Sequence, residues 1–456
     1  MRKNSKIHPS PLHILSPGQM MVAGFVFLIL LGAVLLTSPL SSANGTSTSF
    51  IDALFTATSA VCVTGLVVVD TSIHWSIFGK VVIILLIQVG GLGFMTLGTL
   101  VALIFGKKIN LRQRILIKEA LNQDDLSGSV KLIKKVLKYT LVIEGLGALL
   151  LSFAFIPQFG FLKGIGYSIF TSISSFCNAG FDLMGSISGE YSSIVSYYNR
   201  SLIVFTISAL IILGGIGFPV IINIVNKRHL KKLSLNSKMA LVTTAILIVG
   251  GFLMIFLGEV GHALHGMTLW EKFQVAFFQS VTTRTAGYAT IDLTQFREST
   301  LFVMIILMFI GASPASTGGG IKTTTAAVLF IAVKSFIKNE NEITVQHKRI
   351  NVFTFRKALG IFIIAIIIAV LGVYLLSITQ DPKHFDILSC SFEVSSALAT
   401  VGLSLAGSYH LNGVGKVIIM VLMFAGRVGS LTIFTAFISE NKRKRVRYPE
   451  AKVLVG

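Results

Sequence analysis

The stretch Thr58–Asp70, TSAVCVTGLVVVD, recurs in altered form three more times, and this recurrence constrains the chain more than any other feature. Its glycine is Gly65. The counterparts are Gly180 in Phe176–Phe181 (FCNAGF), Gly287 in Thr283–Tyr288 (TRTAGY) and Gly402 in Ala399–Leu403 (ATVGL), spaced 115, 107 and 115 residues apart. Near-regular recurrence at that distance means four copies of one unit. Each glycine follows a stretch rich in Ser, Thr and Phe and lies between two apolar runs long enough to cross a bilayer. A short polar helix and a glycine turn between two spanning helices has the form of a re-entrant loop. The predicted fold is therefore an all-α polytopic membrane protein, with four parallel helix/pore-loop/helix repeats around one pseudo-fourfold pore.

Composition agrees. With 53% hydrophobic and 13% charged residues the chain cannot cover a soluble surface, which needs roughly twice that share of charge. Three cysteines, Cys62, Cys177 and Cys390, are too few for a disulfide framework and read as small apolar residues in packed positions.

In chain order, unit one (1–106) has spans at Met20–Leu36 and Phe78–Phe105. Unit two (107–226) has a basic linker, Gly106–Lys138, and spans Leu137–Ile156 and Ser201–Val225. Unit three (227–338) has the link Asn226–Lys238 and spans Met239–Leu257 and Leu301–Ile337. Unit four (339–456) has the link Lys338–Lys357, spans Ala358–Leu376 and Val417–Ile438, and the basic tail Asn441–Gly456. Two spans and a re-entrant loop return the chain to its starting side, so all linkers should share one side and be basic. Of 39 Lys and Arg, 29 fall in the N-terminus, linkers and tail, 8 on the opposite side, and Lys322 and Arg427 within spans. That excess marks the cytoplasmic side, placing both termini there in a plasma-membrane protein. The outer side, near −3 once its acids are counted, would draw cations to the mouth. Asp182, two residues past Gly180, is the outer acid nearest a loop glycine. Glu144, near the cytoplasmic end of its span, reads as a snorkelling side chain.

Four parallel loops can share one axis, and rings of backbone carbonyls can replace the water around a monovalent cation. Glycine permits the backbone angles that turn successive carbonyls inwards. The residues before each glycine, Val63 and Thr64, Asn178 and Ala179, Thr285 and Ala286, Thr400 and Val401, are mostly small or β-branched, as an extended filter strand requires. With Gly65, Gly180, Gly287 and Gly402 they form the candidate ion-binding set for a monovalent cation. Their side chains differ while the glycine stays, which fits ligation by backbone.

The second span of unit three contains Gly311-Ala312-Ser313-Pro314-Ala315-Ser316-Thr317-Gly318-Gly319-Gly320, which cannot stay helical. Unwound backbone at membrane depth is tolerated where protein or a water-filled cavity satisfies it, so a loop inside the cavity is expected, running on to Lys322. The alternative is a kinked, closely packed helix. Arg427 lies midway along the last span, where insertion scales penalise arginine by about 3 kcal/mol, so it should face the cavity or a partner group. Loop and arginine together read as a gate or energy barrier. Glu259, His262 and His265 share a helical face where a metal could bind, though an interfacial cluster explains them as well. The basic clusters, including Lys442–Arg447, fit anionic lipid or a cytoplasmic regulator, and nothing points to nucleic acid.

The motifs TSAVCVTGL, SSFCNAGF, TTRTAGY and SSALATVGL, with GASPASTGGGIKT at Gly311–Thr323 and GRVGSLT at Gly426–Thr432, resemble those of the ion-translocating membrane subunit of Ktr-type potassium uptake systems, in the Trk/Ktr/HKT superfamily. The resemblance covers essentially the whole chain. It implies potassium uptake through a one-residue filter, a homodimer with one pore per subunit, and regulation by a cytoplasmic nucleotide-binding (RCK-domain) ring. Gly65 at the first filter position argues for potassium, with sodium a candidate activator and no cofactor in this chain. The filters lack the full TVGYG sequence of potassium channels. A proton- or sodium-coupled cation symporter of the same superfamily is the alternative, and would want acids within spans. A membrane enzyme would need a catalytic cluster, and no Ser-His-Asp or Cys-His arrangement occurs at usable spacing.

The topology is checked by one-sided labelling. Cysteine placed at Lys118 or Lys232 should react only with reagent on the cytoplasmic side, and at Thr294 only from outside; outside labelling at Lys118 or Lys232 refutes the arrangement.

Overall fold

The computed structural model describes residues 17–93, 129–227, 229–340 and 342–429. Unit one consists of α1 (Pro17–Thr37), α2 (Phe50–Cys62) and α3 (Ile77–Leu92). Unit two has α4 (Ser129–Phe159), α5 (Phe161–Phe176), α6 (Ser201–Gly215) and α7 (Phe218–Lys227). Unit three has α8 (Leu235–Glu259), α9 (Leu269–Thr282), α10 (Glu298–Phe309) and α11 (Thr323–Ile337). Unit four has α12 (Val352–Thr379), α13 (Ile387–Ala399) and α14 (Gly413–Val428). A two-stranded hairpin, Thr344–Val345 with Lys348–Arg349, lies in the last link.

The long helices α1, α4, α8 and α12 are apolar enough to span a bilayer, and only 17–28% of their most apolar windows is buried. A helix that is apolar all round and mostly uncovered is suited to lipid, so these four form the outer layer. The short helices α2, α5, α9 and α13 are the buried ones despite their hydroxyls. Those hydroxyls are absorbed locally: Thr56 donates to the Asp52 carbonyl at 2.9 Å and Thr58 to that of Leu54 at 2.7 Å. Side-chain caps set where helices begin. Thr268 and Glu271 form a reciprocal box at α9, and Asp386 accepts from the Ser389 amide at 2.8 Å at α13.

The second helix of each unit packs against the short helix of the next: α3 on α5, α6 on α9, α10 on α13 and α14 on α2. The last pairing closes the circle, so the units stand around one axis in the order one, two, three, four.

The second span of unit two, expected at Ser201–Val225, is two helices and not one. In units one, two and four the helix α3, α6 or α14 is followed by a glycine at a left-handed angle: Gly93 at φ +80°, Gly217 at +91° and Gly429 at +91°. In unit two the helices flanking the break meet at 94°. Helical hydrogen bonding cannot continue through such angles. Three residues before each of these glycines, Gly90, Gly214 and Gly426 lie against the carbonyls of Val61, Phe176 and Leu398, in the last turns of α2, α5 and α13. A Cβ at any of them would lie within 3 Å of that oxygen, so glycine is what lets second and short helices approach.

Two further expectations change, and the Glu259 side chain finds its partners. Glu144 does not snorkel, because α4 begins at Ser129 and places it mid-helix, buried, with Gln88 Nε2 at 3.2 Å and Cys177 Sγ at 3.9 Å. Arg427 lies at the end of α14, one residue before the helix stops, and not midway along an unbroken span. Glu259 accepts from the Arg297 amide at 3.0 Å, the Thr300 hydroxyl and His262 Nδ1 at 3.2 Å, so its oxygens secure the start of α10. No cluster of three or more His, Cys, Asp or Glu suited to a metal occurs among the described residues. The linker residues 94–128 and the tail from 430, including Lys442–Arg447, lie outside the described residues.

Gly90→Ala should sharply lower the midpoint of thermal unfolding in detergent, since its Cβ would meet backbone that cannot yield. Gly145→Ala, with open space around it in α4, should be neutral or stabilise by up to about 1 kcal/mol. Equal responses would exclude the close-approach account.

Candidate functional site

The residue two before each repeated glycine adopts left-handed backbone without being glycine: Val63 at φ +57°, Asn178 at +60°, Thr285 at +66° and Thr400 at +53°. Gly65, Gly180, Gly287 and Gly402 then follow at +93°, +69°, +82° and +95°. Four segments of different sequence thus share one unusual backbone path. For β-branched residues that path is costly, so the surroundings must impose it.

Hydroxyls at the ends of the short helices do part of this. The Gly65 amide donates to Ser59 Oγ and the Gly402 amide to Ser396 Oγ, both at 3.0 Å. In the other two units the hydroxyl reaches past the glycine, Ser174 donating to the Phe181 carbonyl and Thr282 to that of Tyr288, both at 2.7 Å. Backbone bonds from Thr64 to Ser59, Ala179 to Ser174 and Val401 to Ser396 complete the helix ends.

The glycines then close on one another. The site of a Cβ on Gly65 lies within 3 Å of the Ala179 carbonyl oxygen, on Gly180 of Ala286, on Gly287 of Val401, and on Gly402 of Thr64. Each unit touches the next and the fourth touches the first. All twelve residues expected at the filter come together in this ring.

Immediately inside the ring lies the loop between α10 and α11. Gly318 and Gly319 lie against the side chains of Thr285 and Thr400, leaving no room for a Cβ. The Gly319 amide donates to Thr400 Oγ1 at 3.1 Å, and Thr317 Oγ1 to the Phe176 carbonyl at 3.1 Å. Asn178 reaches across to unit three, donating to Thr285 Oγ1 and the Arg284 carbonyl, both at 3.2 Å. The backbone of Pro314 approaches Gly217, Ser316 buries its hydroxyl, and Gly311 meets the Gly319 carbonyl where the loop folds back on itself. Gly320 leaves the loop at φ +69°, and Lys322 donates to the Gly318 carbonyl at 2.6 Å, satisfying the loop from within.

Arg427 occupies the position that is Gly91 in unit one and Gly215 in unit two. Its guanidinium donates to the carbonyls of Thr317 in the loop and of Gly90 and Gly91 at the end of α3, the last at 3.1 Å. Its charge is spent on carbonyls and ties unit four to unit one and to the loop.

Arg284 escaped the sequence reading, which counted it among outer charges. It is buried, and donates to the Thr244 and Gly311 carbonyls at 3.5 and 3.4 Å. Neighbouring polar residues of the motif carried no signal for this, because depth depends on where α9 ends in three dimensions. Two residues past Gly180, Asp182 accepts from the Met184 amide at 2.8 Å. Burial pushes its carboxyl up to about 7, the Met184 bond opposes this, and the nearby Asp70 charge adds to it.

A mostly helical polytopic membrane protein whose four units close a backbone ring around one axis is of the class that carries ions. The chain belongs to the TrkH family, described as cation transport protein, whose profile matches residues 11–446. It is 43% identical to the potassium/sodium uptake protein NtpJ of Enterococcus hirae over 97% of this chain and 98% of that one. It is 39% identical to Ktr system potassium uptake protein B of Bacillus subtilis, over 97% of each. Among solved structures, the potassium transporter TrkH from Vibrio parahaemolyticus matches with a TM-score of 0.72 at 18% identity, over 96% of this chain and 87% of that one. The chain is a multi-pass membrane transport protein and not an enzyme.

Because the Asp182 carboxyl is raised, it is protonated below about pH 7 and charged above it. Its contribution to folding stability is present under acid conditions and is lost as pH rises through 7. The charge at the mouth runs the other way, so cation flux should fall as external pH drops through 7, and Asp182→Asn should flatten that profile. A parent profile flat across this range removes Asp182 from the pathway.

Proposed function

We propose that this protein takes up potassium across the plasma membrane, with Gly65, Gly180, Gly287, Gly402 and the residues before them as its selectivity filter. The observation that carries this is the closed ring: four left-handed glycine segments, each against a carbonyl of the next, offer backbone oxygens to a dehydrated monovalent cation. The names of the relatives, potassium/sodium uptake and Ktr system potassium uptake, support the choice of cargo.

The loop Gly311–Lys322 is the gate and Arg427 its latch. The loop lies directly inside the ring, in contact with Thr285 and Thr400, so an ion leaving the filter meets it first. Three glycines and a proline leave little regular structure to lose on moving. A guanidinium holding carbonyls on both the loop and α3 favours the closed position. The relatives' designation as parts of a Ktr system supports a separate cytoplasmic regulatory subunit, a nucleotide-binding ring that biases this equilibrium. The protein works as a homodimer with cytoplasmic termini, anionic lipid contacting its basic links, and sodium as an activator. Glu144, buried within a span, is the observation favouring the second reading, a proton- or sodium-coupled symporter.

Uptake of rubidium-86 or potassium into proteoliposomes, with and without sodium, tests the cargo; no uptake under either condition refutes it. Gly65→Ser should lower selectivity for potassium over sodium, while Gly98→Ser should not; the reverse would remove the ring from the filter. Arg427→Ala, or deletion across Ser316–Gly319, should raise basal flux without abolishing preference among cations. Unchanged flux in folded protein at normal amounts, or loss of selectivity with the loop, would falsify the gate.

A further inference from the structure

The outer loop of unit two rests on all three other units. Its turn at Gly185–Ser188 meets unit one through Ser186 and Ser72, whose hydroxyls lie 3.1 Å apart, and the Tyr191 amide donates to Asp70 Oδ2 at 3.0 Å. Two residues on, the Ala289 amide of unit three donates to Ser193 Oγ at 3.1 Å, and the Ile194 amide to the Ala289 carbonyl at 3.2 Å. The Tyr191 ring is stacked on that of Tyr409 in unit four, with centroids 4.2 Å apart and planes at 20°.

The last contact is the informative one. Units two and four are opposite one another in the ring, so side chains that join them bridge units that are not neighbours. These anchors lie close to the rim: Asp70 is five residues past Gly65, Ala289 two past Gly287 and Tyr409 seven past Gly402. The tyrosine pair thus lies at the segment 186–194, which touches both units one and three just past their ring glycines. Both ends are held in place. Tyr191 and Ser193 take left-handed backbone, at φ +60° and +53°, without being glycine, a strained path that persists only where contacts enforce it. On the other side, buried Glu393 accepts from the hydroxyls of Ser404 and Ser408, the latter at 3.0 Å, fixing the turn that presents Tyr409.

We propose that the Tyr191–Tyr409 stack is an outer constriction of the transport path, which slows passage of monovalent cations to the ring and excludes bulky organic cations. Small cations pass beside the stacked rings, while a quaternary ammonium is too large to do so. Both tyrosines are positioning residues, since neither is part of the ring. The inference rests on the reading of the ring as the ion path.

The test uses the full-length protein in proteoliposomes, with rubidium-86 as cargo and external tetraethylammonium as the bulky probe. Tyr191→Ala and Tyr409→Ala should each raise initial rubidium uptake several-fold and make it sensitive to tetraethylammonium. Tyr191→Phe and Tyr409→Phe, which keep the stack, should match the parent. A merely structural role would lower uptake in the alanine variants and would not create block, and that result overturns the proposal. A second arm does not depend on the alanine variants folding. With cysteine at both positions, a short bifunctional methanethiosulfonate reagent applied from outside should depress uptake, and reductant should restore it; the three native cysteines are buried. No cross-link, or a cross-link that leaves uptake unchanged, also overturns it. If the parent itself takes up no rubidium, the reading of the ring fails; if it does and the variants do not differ from it, only the constriction fails.

Discussion

The absence of a side chain at Gly65, Gly180, Gly287 and Gly402 is what the rest of the molecule is arranged around. In each case the volume a Cβ would fill is occupied by a carbonyl from the next unit, so the four segments approach as closely as backbone allows. Closure of that kind is cooperative: a shift in one unit moves the oxygen that fills the space in its neighbour. The left-handed residues two positions earlier, three of them β-branched and one asparagine, are held at angles costly for β-branched side chains. They are held there by hydroxyls at the short-helix ends and by contact with the adjacent unit.

The same device operates one layer deeper. Gly90, Gly214 and Gly426 allow the second helices to rest on carbonyls at the ends of the short helices, and a left-handed glycine follows three residues later in each. Unit three departs from this plan. Its equivalent, Gly311, meets the Gly319 carbonyl of its own loop, so the segment folds back and fills the space inside the ring. Unit four departs in a complementary way, with Arg427 where units one and two have glycine. The two irregularities meet, since the arginine donates to the Thr317 carbonyl. Neutral carbonyls are suitable partners for a buried guanidinium in a chain that carries cations, because a carboxylate at that depth would itself attract the cargo.

Much of this was legible in the chain itself. Four copies of a glycine loop at intervals of 115, 107 and 115 residues, between apolar runs, imply a fourfold membrane architecture, because repetition and hydropathy are properties of sequence alone. The composition of Gly311–Gly320 excludes a helix for the same reason, whatever surrounds it. Tertiary structure decided depth and partnership. Arg284, counted by sequence as an outer charge, is buried against Gly311; Glu144, read as a snorkelling residue, sits mid-helix against Gln88; and Arg427 grips the loop and α3 together. Tyr191 and Tyr409, 218 positions apart in the chain, stack only because units two and four are opposed across the axis. Local pattern sets which residues are apolar, helical or free to turn, but a side chain's partner depends on how separate units close on one another, and that is a property of the assembled ring.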